Sequence, residues 1–390
     1  MTRPAILGGD PAFAEGIAFA RPPAPPLDGV MARLSPSYER GVLTNGALVR
    51  ELEVCTAERL SVRHVVAVAS CTSGLMLTLQ ALDPAGDVLV PSFTFSAGPH
   101  AVAWNARRAV FAECDPGSFQ LDCADAADRL DGVGAIMATH VFGAPCDAEQ
   151  VAALARGAGV PALFDAAHAF GARRAGHPVG GFGDAEVFSL SPTKPLTAAE
   201  GGLVATDRDD IAAAVRTGRD YGNPGDYDTR FAGLNARMSE LHAAVALESL
   251  AELDEHLEIR EALARRYRDA LATVPGLAHQ RVDAGDRSTW KDFTISVTGS
   301  AFGVGRDALV AALRAEGVDT RCYFDPPVHR QTAHATSRPT ALPVTDRVAS
   351  SVVSLPLYRA LEVSVIDRIV EILASVHRHA EELAHVRRVR

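Results

Sequence analysis

The sequence predicts an α/β protein: a large domain with a mostly parallel sheet covered by helices, followed by a smaller C-terminal α/β domain. Two observations carry this. Short apolar runs at 65–69, 87–91, 108–111, 135–139 and 161–164 alternate with helix-length segments, so successive strands are joined by helical crossovers rather than hairpins. The last 120 residues then change character, with strands and helices in a different order. A chain of 390 residues, 47% of them hydrophobic, is long enough for two such units, and the boundary is placed at 1–250 and 251–390.

Residues 1–30 contain Pro22-Pro23 and Pro25-Pro26 and read as an extended arm without a stable element. The turn Gly41 to Gly46 opens a helical stretch from Val49 to Leu60; it is either a helix cap or a substrate contact through Thr44. Val65 to Ala69 suits a buried strand, and Ser70-Cys71-Thr72-Ser73-Gly74 leads from it into a helix running through Leu82. Hydroxyls at a helix N-terminus cap the helix, and the same free N–H groups suit an anion such as phosphate. Strands follow at Asp87–Pro91, Arg108–Phe111 and Ala135–Thr139, with a helix from about Ser96. Ligands of such sheets bind beyond the carboxyl ends of the strands, where Phe95, His140 and Asp165 fall.

Asp165 closes an apolar run and precedes Ala166-Ala167-His168, so it either caps a helix or meets a buried cation. A second pair of apolar runs, 185–189 and 202–206, flanks a polar turn carrying Lys194 and the Gly201-Gly202 pair. A charged helix spans 207–219, an irregular Gly- and Pro-rich loop 220–227, and helical periodicity runs from about 240 to Leu271. The small domain shows strands near 293–297, 320–323 and 352–355, a helix at 306–316, and a last helix with an apolar stripe of Val363, Ile366, Ile369 and Leu373.

A net charge of −10 without a basic run argues against a nucleic-acid partner. Six scattered cysteines without a CxxC pair read as reduced thiols of a cytoplasmic protein. No stretch approaches the roughly 18 apolar residues of a membrane span, and His329, His334, His377 and His379 lack the spacing of metal ligands. No metal is expected.

The basic residues number 38, and lysine occurs only at Lys194 and Lys291. An amine can shed its proton when desolvated and form an imine, whereas a guanidinium cannot, so imine chemistry has two candidates. The first domain then offers a hydroxyl cluster at a helix N-terminus, an aromatic ring at Phe95, an aspartate at a strand end and a lysine on a later loop. Those groups match what pyridoxal 5′-phosphate requires.

In order and spacing the chain resembles the DegT-type nucleotide-sugar aminotransferases, a branch of the fold-type I pyridoxal-phosphate enzymes, over nearly its whole length. The motifs that carry the resemblance are Leu43-Thr44-Asn45-Gly46, Ser70-Cys71-Thr72-Ser73, Pro91 through Phe95, Asp165-Ala166-Ala167-His168, Ser189 through Lys194 with Glu200-Gly201-Gly202, and Gly233 through Leu241. The resemblance implies that Lys194 forms the imine, Asp165 partners the pyridine nitrogen, Phe95 stacks, and Thr72, Ser73 and Ser189 bind the phosphate. His168 stands beside the cofactor's phenolic oxygen, and Asn235 reaches the phosphate of a second subunit, which makes the protein a homodimer with shared sites. Lys291, Arg321, Tyr323 and His329 fall near strand ends on the sugar side and are expected to bind the acceptor's diphosphate.

Three positions depart from the family pattern: Cys71 and Ala199 where glycine is common, and Trp290-Lys291 where a tyrosine-histidine pair is frequent. The implied reaction moves an amino group from glutamate or glutamine to a nucleotide-linked keto-sugar in deoxyaminosugar biosynthesis. A lysine rather than a histidine at position 194 argues for transamination over dehydration. A cyclitol ketone is the alternative acceptor. A non-catalytic pyridoxal-phosphate-binding regulator is the rival class, and the DNA-binding appendage it needs is not found. A nicotinamide enzyme would need a GxGxxG turn after the first strand, where Ser-Cys-Thr-Ser stands instead.

Overall fold

The computed structural model describes residues 3–335, 337 and 341–388. Its large sheet has seven strands in the spatial order His64–Val68, Gly202–Thr206, Ala185–Ser189, Ala162–Asp165, Val133–Thr139, Asp87–Pro91 and Ala109–Ala112. Gly202–Thr206 runs antiparallel to both neighbours and the other pairings from Ala185–Ser189 outward are parallel, so the expected mostly parallel sheet is observed. All seven strands are buried along their whole length or all but their first residue, which is why they read as continuous apolar runs.

Alternate residues serve opposite faces. Val65, Ala67, Phe188 and Leu203 pack with Leu48, Val49 and Leu52 of the helix Ala47–Leu60. Val66, Val68, Val187 and Val204 pack with Leu75 and Leu79 of the helix Cys71–Leu82 and with Ile211 and Val215 of Asp209–Gly218. Because the parallel strands share one direction, residues 70, 92, 140, 165 and 189 all emerge at one end of the sheet. The antiparallel strand begins at Gly202 at that same end, which leaves residues 190–201 to arch over it.

A second, three-stranded antiparallel sheet, Leu277–His279, Phe293–Val297 and Val352–Leu355, has its own apolar cluster with the helices Arg306–Ala315 and Val363–Arg378. Ile6, Leu7, Phe13 and Ile17 pack against this cluster, so the first residues of the chain lie on the far unit rather than beside the segment that follows them.

Three sequence expectations differ from the structure. Residues 1–30 are not wholly irregular: a 3-10 turn occupies Ala5–Leu7, and a helix spans Leu27–Glu39, burying Val30, Leu34 and Ser37. Gly29 and Pro36 disguise its pattern, and Gly29 lies against the Glu248 carboxylate of the helix Glu240–Ala251. The strand near 320–323 reduces to one bridge between Arg321 and Ser354, since the chain turns at once through Asp325 N to Cys322 O. The long helical stretch to Leu271 is two helices, Glu240–Ala251 and Leu253–Leu271, broken at Glu252.

The turn at Thr44 is a cap. Thr44 donates to the Met238 carbonyl at 3.0 Å, and the fully buried Glu240 carboxylate accepts from the N–H groups of Gly46, Leu48 and Val49 and from Ser37 Oγ at 2.8–3.0 Å. Bonds to a charged acceptor contribute about 1.5–3 kcal/mol each, so this carboxylate ties two distant motifs into one start of a helix.

Candidate active site

The end of the sheet encloses a cavity of about 320 Å³. Thr72, Phe95, Asp165, His168, Ser189, Lys194, Lys291 and Tyr323, all singled out from the sequence, line it.

Its floor begins where Val68 delivers the chain to Ser70. Ser70 Oγ accepts from Ser73 N and Ser73 Oγ accepts from Ser70 N, both at 3.1 Å, a reciprocal cap that starts the helix Cys71–Leu82. The Ser73 hydroxyl is therefore turned to the cap and is absent from the cavity lining, a correction to its expected place among phosphate ligands. Cys71 and Thr72 line the cavity, and their N–H groups have no hydrogen-bond partner among the described residues. Gly202 makes the cradle possible: a Cβ there would stand 2.6 Å from the Cys71 nitrogen, and the obstacle is backbone that cannot swing aside. Ser189 Oγ and Ser191 Oγ, 3.3 Å apart, face the same space.

Lys194 rides on the arch between the two strands. Its backbone N–H bonds Ser191 O at 3.0 Å, Leu190 exchanges bonds with Gly201 and Ala198, and Thr197 N is held by Ser249 Oγ at 3.1 Å. Ala199 takes φ +64°, the left-handed region, at the position where glycine was expected by resemblance; the structure tolerates the Cβ strain there. Among the described residues Nζ of Lys194 has no hydrogen bond or ion pair. Burial first, then the nearby Lys291 charge, lowers its pKa to about 8, against Asp292, Cys71 and Asp165, which act in the other direction.

Asp165 is 3% exposed, with Oδ1 accepting from Ala167 N at 3.0 Å and the Cys71 thiol 3.9 Å away. Burial pushes its pKa up, opposed by the Ala167 bond and the charges of Lys194 and His140. A carboxylate desolvated in this way gains from any cation brought to face it. His168 stacks on Phe142 with rings nearly parallel at 6.5 Å, and its buried Nδ1 has no partner. Burial holds its pKa well below the usual imidazole range, so the ring is neutral. Phe95 is 60% exposed where it lines the cavity.

Four other expected residues lie outside this lining. Thr44 belongs to the cap described above. Asn235 is exposed, its backbone bridged to Asp220. Arg321 points to Asp319 at 2.5 Å and over the Phe19 ring. His329 is tied to Ser92 Oγ at 2.6 Å through Nδ1, with Asp346 beyond. Lys291 does line the cavity, but it is 6% exposed and its ammonium lies 2.8 Å from Asp292 Oδ1. The expected cluster of basic diphosphate ligands is therefore not assembled in the protomer: one member is internally paired and two face elsewhere. Sequence reasoning missed Thr139, Asp292 and Phe324, which also line the cavity. Asp292 follows Lys291 directly, and that adjacent pair of opposite charges was the signal available for it.

No group of three or more metal-ligating side chains occurs among the described residues, and no described helix is long and apolar enough to cross a membrane. All six cysteines are unpaired.

The sheet order, with a lysine-bearing arch over its carboxyl end, is the fold of the fold-type I pyridoxal-phosphate-dependent aminotransferases. Within that class the chain belongs to the DegT/DnrJ/EryC1/StrS aminotransferase family, whose model matches residues 29–374. It is 31% identical over 354 residues to the UDP-N-acetyl-3-dehydro-α-D-glucosamine 3-aminotransferase of Acidithiobacillus ferrooxidans, covering 90% of this chain and 94% of that one. It is 30% identical to the GDP-perosamine synthase of Caulobacter vibrioides, covering 85% and 90%. Among solved structures, DesI, crystallised in the presence of its TDP-sugar product, superposes with a TM-score of 0.93 at 35% identity over 98% of both chains. The resemblance read from the motifs holds for both family and fold.

Proposed function

We propose that the protein binds pyridoxal 5′-phosphate in this cavity and moves an amino group from glutamate or glutamine to a nucleotide-linked keto-sugar. The observation that carries the reading is Lys194: an amine with its pKa lowered to about 8, without a partner among the described residues, on a pinned arch in the same cavity as a buried aspartate. The cavity fits the cofactor's parts. Asp165 would hold the pyridine nitrogen, Phe95 the ring face, and Thr72, Ser189 and the free N–H groups of Cys71 and Thr72 the phosphate, while the orphaned His168 Nδ1 would receive a partner.

When bound, the cofactor supplies a carbonyl that condenses with amines and a ring that withdraws electrons from the adjacent carbon. Asp165, ionised opposite a ring cation, keeps that ring protonated. Nζ of Lys194, once released as a free amine, takes the proton from the donor's α-carbon and delivers it to the neighbouring carbon; with the acceptor it moves a proton in the reverse sense. Tyr323 and Phe324 line the cavity beside Lys194 and would present aromatic surface to the reacting atoms.

The nucleotide-sugar acceptor is supported by the relatives named above. A cyclitol ketone is the second reading, and the dispersal of Arg321 and His329 away from the cavity favours it. Cofactor-loaded protein screened against nucleotide keto-sugars and inososes, with glutamate and glutamine as donors, separates the two. We expect turnover with a nucleotide keto-sugar; turnover restricted to inososes would replace the first reading with the second.

The proposal includes a cytoplasmic homodimer in which Asn235 serves the partner's phosphate. Its support is that Asn235 is exposed and off its own cavity, while Leu27, Met31, Tyr38 and Leu43 expose apolar surface. Mixing inactive Lys194→Ala with inactive Asn235→Asp should restore activity, because one site of each hybrid then carries both native residues. Absence of recovery despite proven subunit exchange would refute the sharing.

A further inference from the structure

The turn 288–292 is anchored from several sides before it reaches the cavity. Arg260, buried in the helix Leu253–Leu271, donates five hydrogen bonds of 2.7–3.3 Å to the carbonyls of Thr289, Trp290, Lys291 and Leu357. It has no ion pair among the described residues. Thr289 Oγ1 bonds the His168 carbonyl at 2.6 Å, Thr289 N bonds Gly143 O at 3.1 Å, and the Trp290 indole N–H donates to Glu261 at 2.5 Å. Trp290 takes φ +48°, a left-handed conformation that these contacts maintain. A buried arginine dedicated to carbonyl groups fixes backbone position, and what it fixes here is the point from which Lys291 and Asp292 enter the cavity.

Both side chains are nearly inaccessible, 6% and 4% exposed, and they line the same cavity as Lys194. A buried pair of this kind adds little stability over an apolar pair of similar volume, so burial alone gives no reason to place one beside a reactive amine. We propose that the Lys291–Asp292 pair, delivered by the Arg260-anchored turn, is the electrostatic control of the Lys194 amine, with the two side chains acting on it in opposite senses. This rests on the assignment of Lys194 under the proposed function.

The Lys291 ammonium disfavours a second cation at Lys194, and the Asp292 carboxylate favours one, in agreement with the directions of their influence on Lys194. The other ionisable groups that line the cavity around Lys194 are Cys71, Asp165, His168, His140, Glu200 and Tyr323. Asp292 also favours the Arg260 guanidinium and disfavours a Tyr323 phenolate, so its charge is felt across this corner. A turn fixed this firmly holds the balance constant, keeping the Lys194 amine able to lose and regain a proton near neutral pH.

The sign of the effect is the test. In cofactor-free protein, trace acetylation of Lys194 with acetic anhydride as a function of pH, read by peptide mass spectrometry, gives the titration midpoint of its amine. The midpoint should rise by about one pH unit in Lys291→Met and fall by a similar amount in Asp292→Asn, while Lys291→Arg should leave it near that of the native protein. The cofactor's absorbance, titrated with pH in the loaded protein, should move in the same two directions. Shifts of one sign in both variants, or no shift in either, would overturn the proposal, since a structural role moves both the same way. Should Lys291→Met fail to fold, a rise or no shift in Asp292→Asn, against an unmoved Lys291→Arg, overturns the proposal on its own. If the protein took up no pyridoxal phosphate, the function proposed above would fall, and the acetylation series would still decide this one.

Discussion

Lys194→Ala is expected to abolish transamination, lowering the rate by about four orders of magnitude or more, because one amine serves both as the cofactor's attachment and as the proton carrier. The two lysines of the chain make the attachment point testable by chemistry alone. Borohydride reduction of the loaded protein, followed by peptide mapping, should leave the pyridoxyl label on Lys194. Lys291 is the competing amine in the same cavity, but its ammonium is engaged by Asp292 at 2.8 Å, whereas Lys194 Nζ has no partner among the described residues and a pKa lowered to about 8. A label on Lys291, or retained transamination in Lys194→Ala, would refute the assignment. At pH below about 8 a growing share of the free Lys194 amine is protonated, so the attachment rate should fall as pH drops through that value.

The strands were legible because the sheet is buried on both faces, and two-sided burial writes continuous apolar runs such as Val65-Val66-Ala67-Val68. Lys194 and Asp165 were legible for a different reason. Asp165 is the last residue of a buried strand, and Lys194, one of two lysines in the chain, lies on the turn between two buried strands. Side-chain direction was not legible. Arg321 and His329 were placed near the cavity by their position along the chain, yet one turns to Asp319 and Phe19 and the other to Ser92 and Asp346. A period of two or 3.6 fixes which face a residue takes only inside a strand or an α-helix, and residues 320–330 lie in neither, His329 falling in the three-residue 3-10 helix Val328–Arg330. The same holds for Thr44, whose cap depends on Met238 and Glu240 nearly two hundred positions away. Arg260 was hidden by its surroundings: a charged helix, rich in arginine and glutamate, offers nothing to mark the one guanidinium that faces inward.

Asp165→Asn is expected to slow the half-reaction with the amino donor by about two to three orders of magnitude while leaving the Lys194 attachment intact. The two amino acids share one shape, and asparagine Oδ1 can still accept the 3.0 Å bond from Ala167 N, so the strand end should keep its geometry. What the substitution removes is the ability to become an anion. In the protein alone burial raises the Asp165 pKa, which means the carboxylate gains from any cation brought against it. A ring nitrogen placed there is that cation, and without a carboxylate opposite it the nitrogen has no reason to hold its proton in so buried a place. Without that carboxylate the group held there would acidify the donor's α-carbon only weakly, however well Lys194 is positioned to take its proton. Single-turnover absorbance changes with glutamate measure the slowed step, and borohydride labelling of the same variant measures attachment. Slow turnover with a normal label on Lys194 is the expected pair of results. A half-reaction within tenfold of the native rate would show that Asp165 is only a strand-end cap for Ala167, and the cofactor's orientation in the cavity would have to be reversed or abandoned.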